Sequence, residues 1–275
     1  MKVSDILPLP GVSITYEDFV MHISRLRSFK YNTVERAKAG KYYVIGDIHG
    51  DVVTFQKILE KIGEIGSDEM LITLGDYGDR GMYQAETWLG VSYLKQVLND
   101  KYVPLRGNHE PDLNSIPYPH DIQHQLKEKF GEERGEFAYR ELFNTFQVLP
   151  LVFEEESFIA MHGGFPVEVF NLNNEEKVRK AMYEILWNDP FEGLGFVESP
   201  RGLGFLFGKD ISERWLSLNG KNFLIRGHEA VEGYKFNHEG LVITVFSRIG
   251  APYFNRTAAF AIIESGKVSF ETVKQ

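Results

Sequence analysis

The chain has 275 residues, of which 43% are hydrophobic, 25% charged and 13% aromatic; this length and composition support a sizeable core and exclude a disordered or collagen-like polymer. Lys and Arg number 30 against 39 Asp and Glu, a net charge of −9, so no chain-wide basic field exists to hold nucleic acid. With no Cys, disulfides, thiolate metal sites, iron–sulfur clusters and cysteine nucleophiles are excluded, and any metal must be held through O and N.

In chain order, the opening MKVSDILPLPGVSITYEDF is broken by Pro and acids where a secretion signal needs an unbroken apolar stretch. Residues 1–40 read as a helical lead-in, with Phe19, His22, Ile23 and Leu26 on one face. A strand-like run, Lys41 to Ile45, ends at GDIHGD, and Met70 to Leu74 ends at GDYGDRG. Between them Phe55, Ile58, Leu59 and Ile62 fall at helical spacing, as do Trp88, Val91, Leu94, Val97 and Leu98 before the third run, Tyr102 to Leu105, which ends at RGNHE. Such runs lack period-2 alternation and suit strands covered on both faces, so the chain begins as βαβαβ.

Residues 121–147 read as a charged, mostly helical insertion, which with the lead-in is most simply solvated scaffolding. Phe158 to Met161 then ends at HGG, Asn222 to Ile225 at RGHE, and Leu241 to Phe246 at Ser247. Strands expected at 205–207, 222–226, 241–246, 258–263 and 267–273 read as a second sheet closing over the first. The longest clear apolar run, AAFAII at 258–263, is far short of the roughly twenty residues of a membrane span. The expectation is an α/β (α+β) protein of one domain, residues 1–275, cytoplasmic and without a membrane or nucleic-acid partner.

Reactive side chains sit just past the C-terminal ends of these strands, where open α/β sheets gather their ligands. Asp47 and His49 are two residues apart, so on an extended segment both can face one cation. Asp76 offers two carboxylate oxygens, one to each of two metals. Asp79 can accept a hydrogen bond from an imidazole, and Arg80 is a planar fork suited to phosphate oxygens. Asn108 brings a neutral hard oxygen, while its neighbour His109 would point away from a metal and could protonate a departing alkoxide. His162 and His228 each follow an apolar strand as candidate imidazole ligands; His22, His120, His124 and His238 have no such setting and read as surface or packing residues. RGLGFLFG at 201–208 spaces its glycines G-x-G-x-x-x-G and lacks a ribose-binding acid at the expected distance, so it is not a dinucleotide fingerprint. Arg201 is instead a second candidate phosphate grip.

The order GDIHG, GDYGDRG, RGNHE, HGG, RGHE resembles the phosphoprotein phosphatase family of serine/threonine phosphatases, prokaryotic-type, within the calcineurin-like metallophosphoesterases. The resemblance covers roughly residues 40–260. It implies a central β-sandwich of mixed sheets flanked by helices and a two-metal site whose bridging hydroxide attacks phosphorus. Carried over by position, it implies Asp47, His49 and Asp76 on the first metal and Asp76, Asn108, His162 and His228 on the second. It further implies His109 as general acid paired with Asp79, and Arg80, Arg201, Asn108 and Tyr253 as substrate-binding residues. The metals are expected to be Mn²⁺, with Fe or Zn²⁺ also suited to O/N ligation. Phosphorylated proteins are the expected partners, and signalling by dephosphorylation the expected setting.

Departures from the family pattern are Gly78 for Val, Asn188 for the Ser of WSDP, RGHE for RAHQ, and SRIGAPYFN at 247–255 for SAPNYCG. None removes a ligand or the acid, but Tyr253 is carried over on a loop that an insertion has altered. Two other functions stand beside the first: a dinucleoside polyphosphate hydrolase or other nucleotide-directed metallophosphoesterase, and a metal-binding signalling module without turnover. Ala230 occupies the place of the second His of GH-x-H, which argues against many phosphodiesterases.

Overall fold

Every run read as a strand-and-motif unit stops where its Gly-rich segment begins, and the computed structural model, which describes residues 2–8 and 10–275, builds on those units. A 3₁₀ turn at Val3–Ile6 is followed by α1 (Tyr16–Ser28), β1 (Val34–Arg36), β2 (Lys41–Ile45), α2 (Val52–Ile62), β3 (Glu69–Thr73), α3 (Gln84–Leu98) and β4 (Tyr102–Pro104). Next come α4 (Ile122–Phe130), α5 (Glu132–Phe146), β5 (Val152–Glu154), β6 (Phe158–Met161), α6 (Glu175–Lys180), α7 (Met182–Trp187) and β7 (Asp189–Pro190). The last part holds β8 (Phe196–Glu198), β9 (Phe205–Phe207), α8 (Lys209–Asn219), β10 (Phe223–Arg226), β11 (Tyr234–Asn237), β12 (Val242–Val245), β13 (Thr257–Glu264) and β14 (Lys267–Lys274).

Two mixed sheets face one another. One has the order β14-β13-β2-β3-β4, with β2, β3 and β4 parallel and β13 antiparallel to its neighbours; the other runs β1-β5-β6-β10-β12-β11. Tyr42, Val44, Met70 and Ile72 of the first sheet meet Phe158, Ala160, Ile225 and Val245 of the second in a shared inner core. The alternate residues Tyr43, Ile45 and Leu71 point outward onto helices carrying Phe19, Phe55, Trp88 and Leu142. On the far side Ile159, Met161 and Leu224 lie under Ile185, Ile211 and Trp215. The result is the expected β-sandwich flanked by helices, and both-face burial explains why the strands read as continuous apolar runs.

The sheet membership differs from the sequence expectation. The C-terminal hairpin β13–β14 joins the first sheet through β2, pairing Ile262 with Tyr43, instead of extending the second. The stretch 205–207 belongs to a separate three-stranded sheet, β7-β9-β8. The lead-in is not solvated scaffolding, because Phe19, Ile23 and Leu26 are buried and β1 pairs in parallel with β5. The insertion likewise buries Ile122, Leu126, Ala138, Leu142 and Phe146. Val97 is exposed: nine residues beyond Trp88, it lies half a turn off the buried stripe.

The two sheets are pinned together where β2 and β12 end. Ser247 Oγ accepts from Gly46 N (2.7 Å) and donates to Ala259 O (2.6 Å), and Asp47 bridges in parallel to Phe246. A Cβ at Gly46 would strike the Val245 carbonyl, so only glycine permits this close approach.

Candidate metal centre

Five strand ends deliver the predicted side chains to one place: Asp47 and His49 after β2, Asp76, Asp79 and Arg80 after β3, Asn108 and His109 after β4, His162 after β6 and His228 after β10. The turns that aim them are tight. His49 (φ 46°), Asp76 (φ 55°), Asp79 (φ 62°), Arg80 (φ 69°) and His228 (φ 69°) all occupy the left-handed region, which ordinary residues avoid. Backbone bonds between turns hold them there. Asp76 O accepts from Ile48 N (3.1 Å) and His49 N (2.8 Å), and Gly227 N donates to His162 O (3.0 Å). Asp76 Oδ1 accepts from His109 N, and Asp47 Oδ1 from His228 N, each at 2.9 Å.

The hydrogen positions follow from the acceptors. His49 Nδ1 lies 2.9 Å from Gly78 O and His162 Nδ1 2.8 Å from Leu74 O. A carbonyl only accepts, so each Nδ1 carries the hydrogen and each neutral ring presents a lone pair at Nε2. His49 Nε2 then faces Asp76 Oδ2 at 3.3 Å and Asp47 Oδ2 at 3.9 Å. His162 Nε2 faces Asp76 Oδ1 at 3.3 Å and Asn108 Oδ1 at 2.9 Å, and the same Asn108 oxygen is 2.8 Å from His228 Nδ1. Two groups of lone pairs therefore converge on the two sides of the Asp76 carboxylate. Burial holds His49, His162 and His228 well below the usual imidazole range, which keeps the rings neutral. Burial also pushes Asp47 up to about 7 and Asp76 well above the carboxylate range, Asp76 being raised further by Asp47. Acceptors that crowd together, buried and short of donors, fit divalent cations held by O and N ligands.

Beside this centre the His109 ring stands edge to face with that of His49, 4.8 Å between ring centres. His109 Nδ1 donates to Asp79 Oδ2 at 2.6 Å, and burial lowers the pKa of His109. Burial pushes the Asp79 carboxyl up, but hydrogen bonds from His109 and His120 outweigh it and hold the group well below the usual range. Arg80, Asn108, His109, Ile116, Trp187 and Arg201 line an adjoining cleft of about 520 Å³. Arg201 Nε is fixed by Asp189 Oδ2 at 2.6 Å and Arg80 by Tyr118 O at 3.2 Å. Tyr253, despite the altered loop, reaches the centre: its ring lies 5.5 Å from that of His49. Burial, then the Asp47 and Asp76 charges, push its hydroxyl pKa up.

The profile of the family described as calcineurin-like phosphoesterase matches residues 40–232, more than half of the chain. The chain belongs to the calcineurin-like phosphoesterase family. Within calcineurin-like phosphoesterases it is 33% identical over 227 residues to a probable serine/threonine-protein phosphatase of Encephalitozoon cuniculi, covering 78% of this chain and 48% of that relative. The chain thus spans about half the length of that curated relative. The fold is also that of a Saccharomyces cerevisiae protein serine/threonine phosphatase with similarity to human phosphatase PP5 (TM-score 0.82, 23% identity, 95% of this chain and 90% of that one). A cold-active protein-tyrosine phosphatase of a psychrophilic Shewanella species is similar at TM-score 0.64 and 17% identity, over 90% of this chain and 84% of that one.

Three residues of this family member escaped the sequence reading. His120, set aside as surface or packing, places Nδ1 2.7 Å from Asp79 Oδ2; no strand or Gly-rich segment marks it, and only its closeness to RGNHE hinted at a role. Glu110, the last letter of RGNHE, is fully buried and accepts from Asp76 N (2.8 Å), Tyr77 N (3.0 Å) and Gly107 N (2.8 Å). Burial pushes its carboxyl up to about 7 against those three bonds. Arg248, in the altered loop, is buried, donates to His49 O and Ala251 O, and sits 5.7 Å from the Tyr253 ring centre. Asn188 of WNDP is structural, bonding Phe165 O and Phe205 N. Among the described residues no helix is long and apolar enough to cross a membrane.

Proposed function

We propose that the chain is a metal-dependent serine/threonine protein phosphatase, with residues 1–275 acting as one catalytic domain and Mn²⁺ as its preferred ion. The single observation that carries this reading is the pair of imidazole lone pairs, on His49 and His162, aimed at opposite oxygens of Asp76. In this reading Asp47, His49 and Asp76 hold one cation, and Asp76, Asn108, His162 and His228 hold the other. Bound there, a pair of divalent ions supplies Lewis-acid charge for phosphoryl oxygens and lowers the pKa of water.

The remaining chemistry falls to the chain's own side chains. Arg80 and Arg201, on the cleft wall with His109, grip the outer phosphate oxygens as planar forks, and Tyr253 closes the side next to His49. Asp79 accepts the His109 Nδ1 hydrogen and its negative charge favours a second proton on the ring, so the imidazolium form of His109 gives its Nε2 proton to the departing serine or threonine oxygen and is left as the neutral Nδ1–H ring. Such an acid contributes about 10²–10⁴ in rate. Supporting the reading are the protein phosphatase names carried by the E. cuniculi relative and the yeast fold neighbour.

The test is turnover of phosphoserine, phosphothreonine and phosphotyrosine peptides and of a dinucleoside tetraphosphate, with Mn²⁺ added and then chelated. Mn²⁺-dependent hydrolysis of the phosphoserine and phosphothreonine peptides is expected. A strong preference for the dinucleotide would overturn the substrate assignment, and activity that survives exhaustive chelation would overturn the metal assignment.

A further inference from the structure

Asp79 serves two imidazoles, and the proposed mechanism uses one. Its Oδ1 accepts from Asp121 N (2.8 Å) and Ile122 N (3.0 Å), at the start of α4, while Oδ2 accepts from His109 Nδ1 (2.6 Å) and His120 Nδ1 (2.7 Å). A carboxylate has about four lone-pair sites, so all of them are filled and the plane of the group is set from two sides. On the far side His120 Nε2 meets the Tyr139 hydroxyl of α5 at 2.9 Å, with the two rings edge to face at 5.6 Å. Because Nδ1 faces a carboxylate, it carries the hydrogen, and Nε2 stands within hydrogen-bond distance of the tyrosine hydroxyl. A line of hydrogen bonds thus runs Tyr139–His120–Asp79–His109. Asp79, His109 and His120 also sit close enough to hold an ion, but contacts of 2.6 and 2.7 Å are those of N–H···O bonds to a charged acceptor.

We infer that His120 is a positioning residue for the phosphatase reaction: held by Tyr139, it locks the Asp79 carboxylate so that His109 keeps its Nδ1 hydrogen and aims Nε2 at the leaving oxygen. The inference rests on the reading of His109 as the general acid. Without His120, Oδ2 loses one of its two fixed donors, the carboxylate rotates about the two backbone N–H groups, and His109 wanders from its line of transfer. Positioning errors of this kind lower the chemical step and leave ground-state binding alone.

The experiment compares the whole chain with His120→Ala, His120→Asn and Tyr139→Phe on a phosphoserine peptide, whose alkoxide needs a proton to leave, and on para-nitrophenyl phosphate, whose phenolate does not. For His120→Ala we expect kcat on the peptide to fall about 10-fold, a part of the ~10²–10⁴ available from general acid catalysis, with KM and kcat on the aryl ester little changed. His120→Asn returns an N–H donor to Asp79 and is expected to restore most of the peptide rate; Tyr139→Phe gives a smaller loss of the same pattern. Equal losses on both esters, or no loss on the peptide, would overturn the inference.

A second readout needs no turnover: the His109 Nδ1–H resonance of nitrogen-labelled protein is expected to broaden in His120→Ala and to persist in His120→Asn. An unchanged resonance in His120→Ala overturns the positioning role by itself. If the parent chain cleaves para-nitrophenyl phosphate but no phosphoserine peptide, the substrate reading fails, and the resonance decides the role of His120.

Discussion

Replacing Glu110 by Gln tests how the RGNHE turn holds the candidate metal centre. Both carboxylate oxygens are committed: Oε2 accepts from Asp76 N and Gly107 N, each at 2.8 Å, and Oε1 from Tyr77 N at 3.0 Å. A glutamine keeps one oxygen. Turned toward Asp76 and Gly107 it preserves two bonds, but its NH₂ then faces the Tyr77 N–H, donor against donor, in a fully buried site. One unsatisfied buried donor costs about 1–3 kcal/mol. At about 2 °C per kcal/mol for a chain of this size, Tm should fall by ~2–6 °C. The opposite flip strands two N–H groups and sets the upper limit. Since Asp76 N and Gly107 N belong to the turns that aim Asp76 and Asn108, Mn²⁺ affinity should also weaken, by about 10–100-fold as for other residues that orient ligands. Thermal unfolding with and without Mn²⁺, followed by a metal titration, reads both effects. Unchanged Tm and unchanged metal affinity together would refute the idea that Glu110 braces the centre.

His109→Asn should lower kcat on a phosphoserine peptide by about 10²–10⁴ while bound metal, measured by elemental analysis, stays constant; parallel loss of metal would make His109 a ligand. Asp76→Asn removes the charge shared by both lone-pair groups, so equilibrium dialysis should show both ions lost together, and retention of one would contradict a bridging role. Arg201→Lys keeps a charge but not the fork that Asp189 fixes at 2.6 Å; KM for phosphopeptides should rise severalfold with a smaller change in kcat, and steady-state kinetics showing an unaltered KM would remove Arg201 from the phosphate grip. Gly75 has φ 100° and would drive a Cβ into the Gly107 backbone, so Gly75→Ala should destabilise the fold, in urea unfolding, by more than the ~0.4–1 kcal/mol that the same replacement gains at an unstrained site.

What the sequence by itself determined was the set of candidate ligands and the strands that carry them. Asp47, His49, Asp76, Asn108, His162 and His228 each stand just past an apolar run beside glycines, and a strand followed by a sharp turn is a local property that residue spacing records. Residues 41–45, 158–161 and the α2 stripe through Phe55 and Ile62 were legible for the same reason. The tertiary structure alone decided what depends on partners distant in the chain. The hairpin β13–β14 and strand β1 could have joined either sheet, because pairing choice is set by long-range packing and leaves no periodic mark. His120 meets Asp79 across 41 residues and Arg248 meets the His49 carbonyl across 199; a lone polar residue in a loop carries no pattern until the fold gives it a neighbour. Direction of the lone pairs at the centre is likewise a tertiary fact, since the Leu74 and Gly78 carbonyls that place the imidazole hydrogens are supplied by other turns.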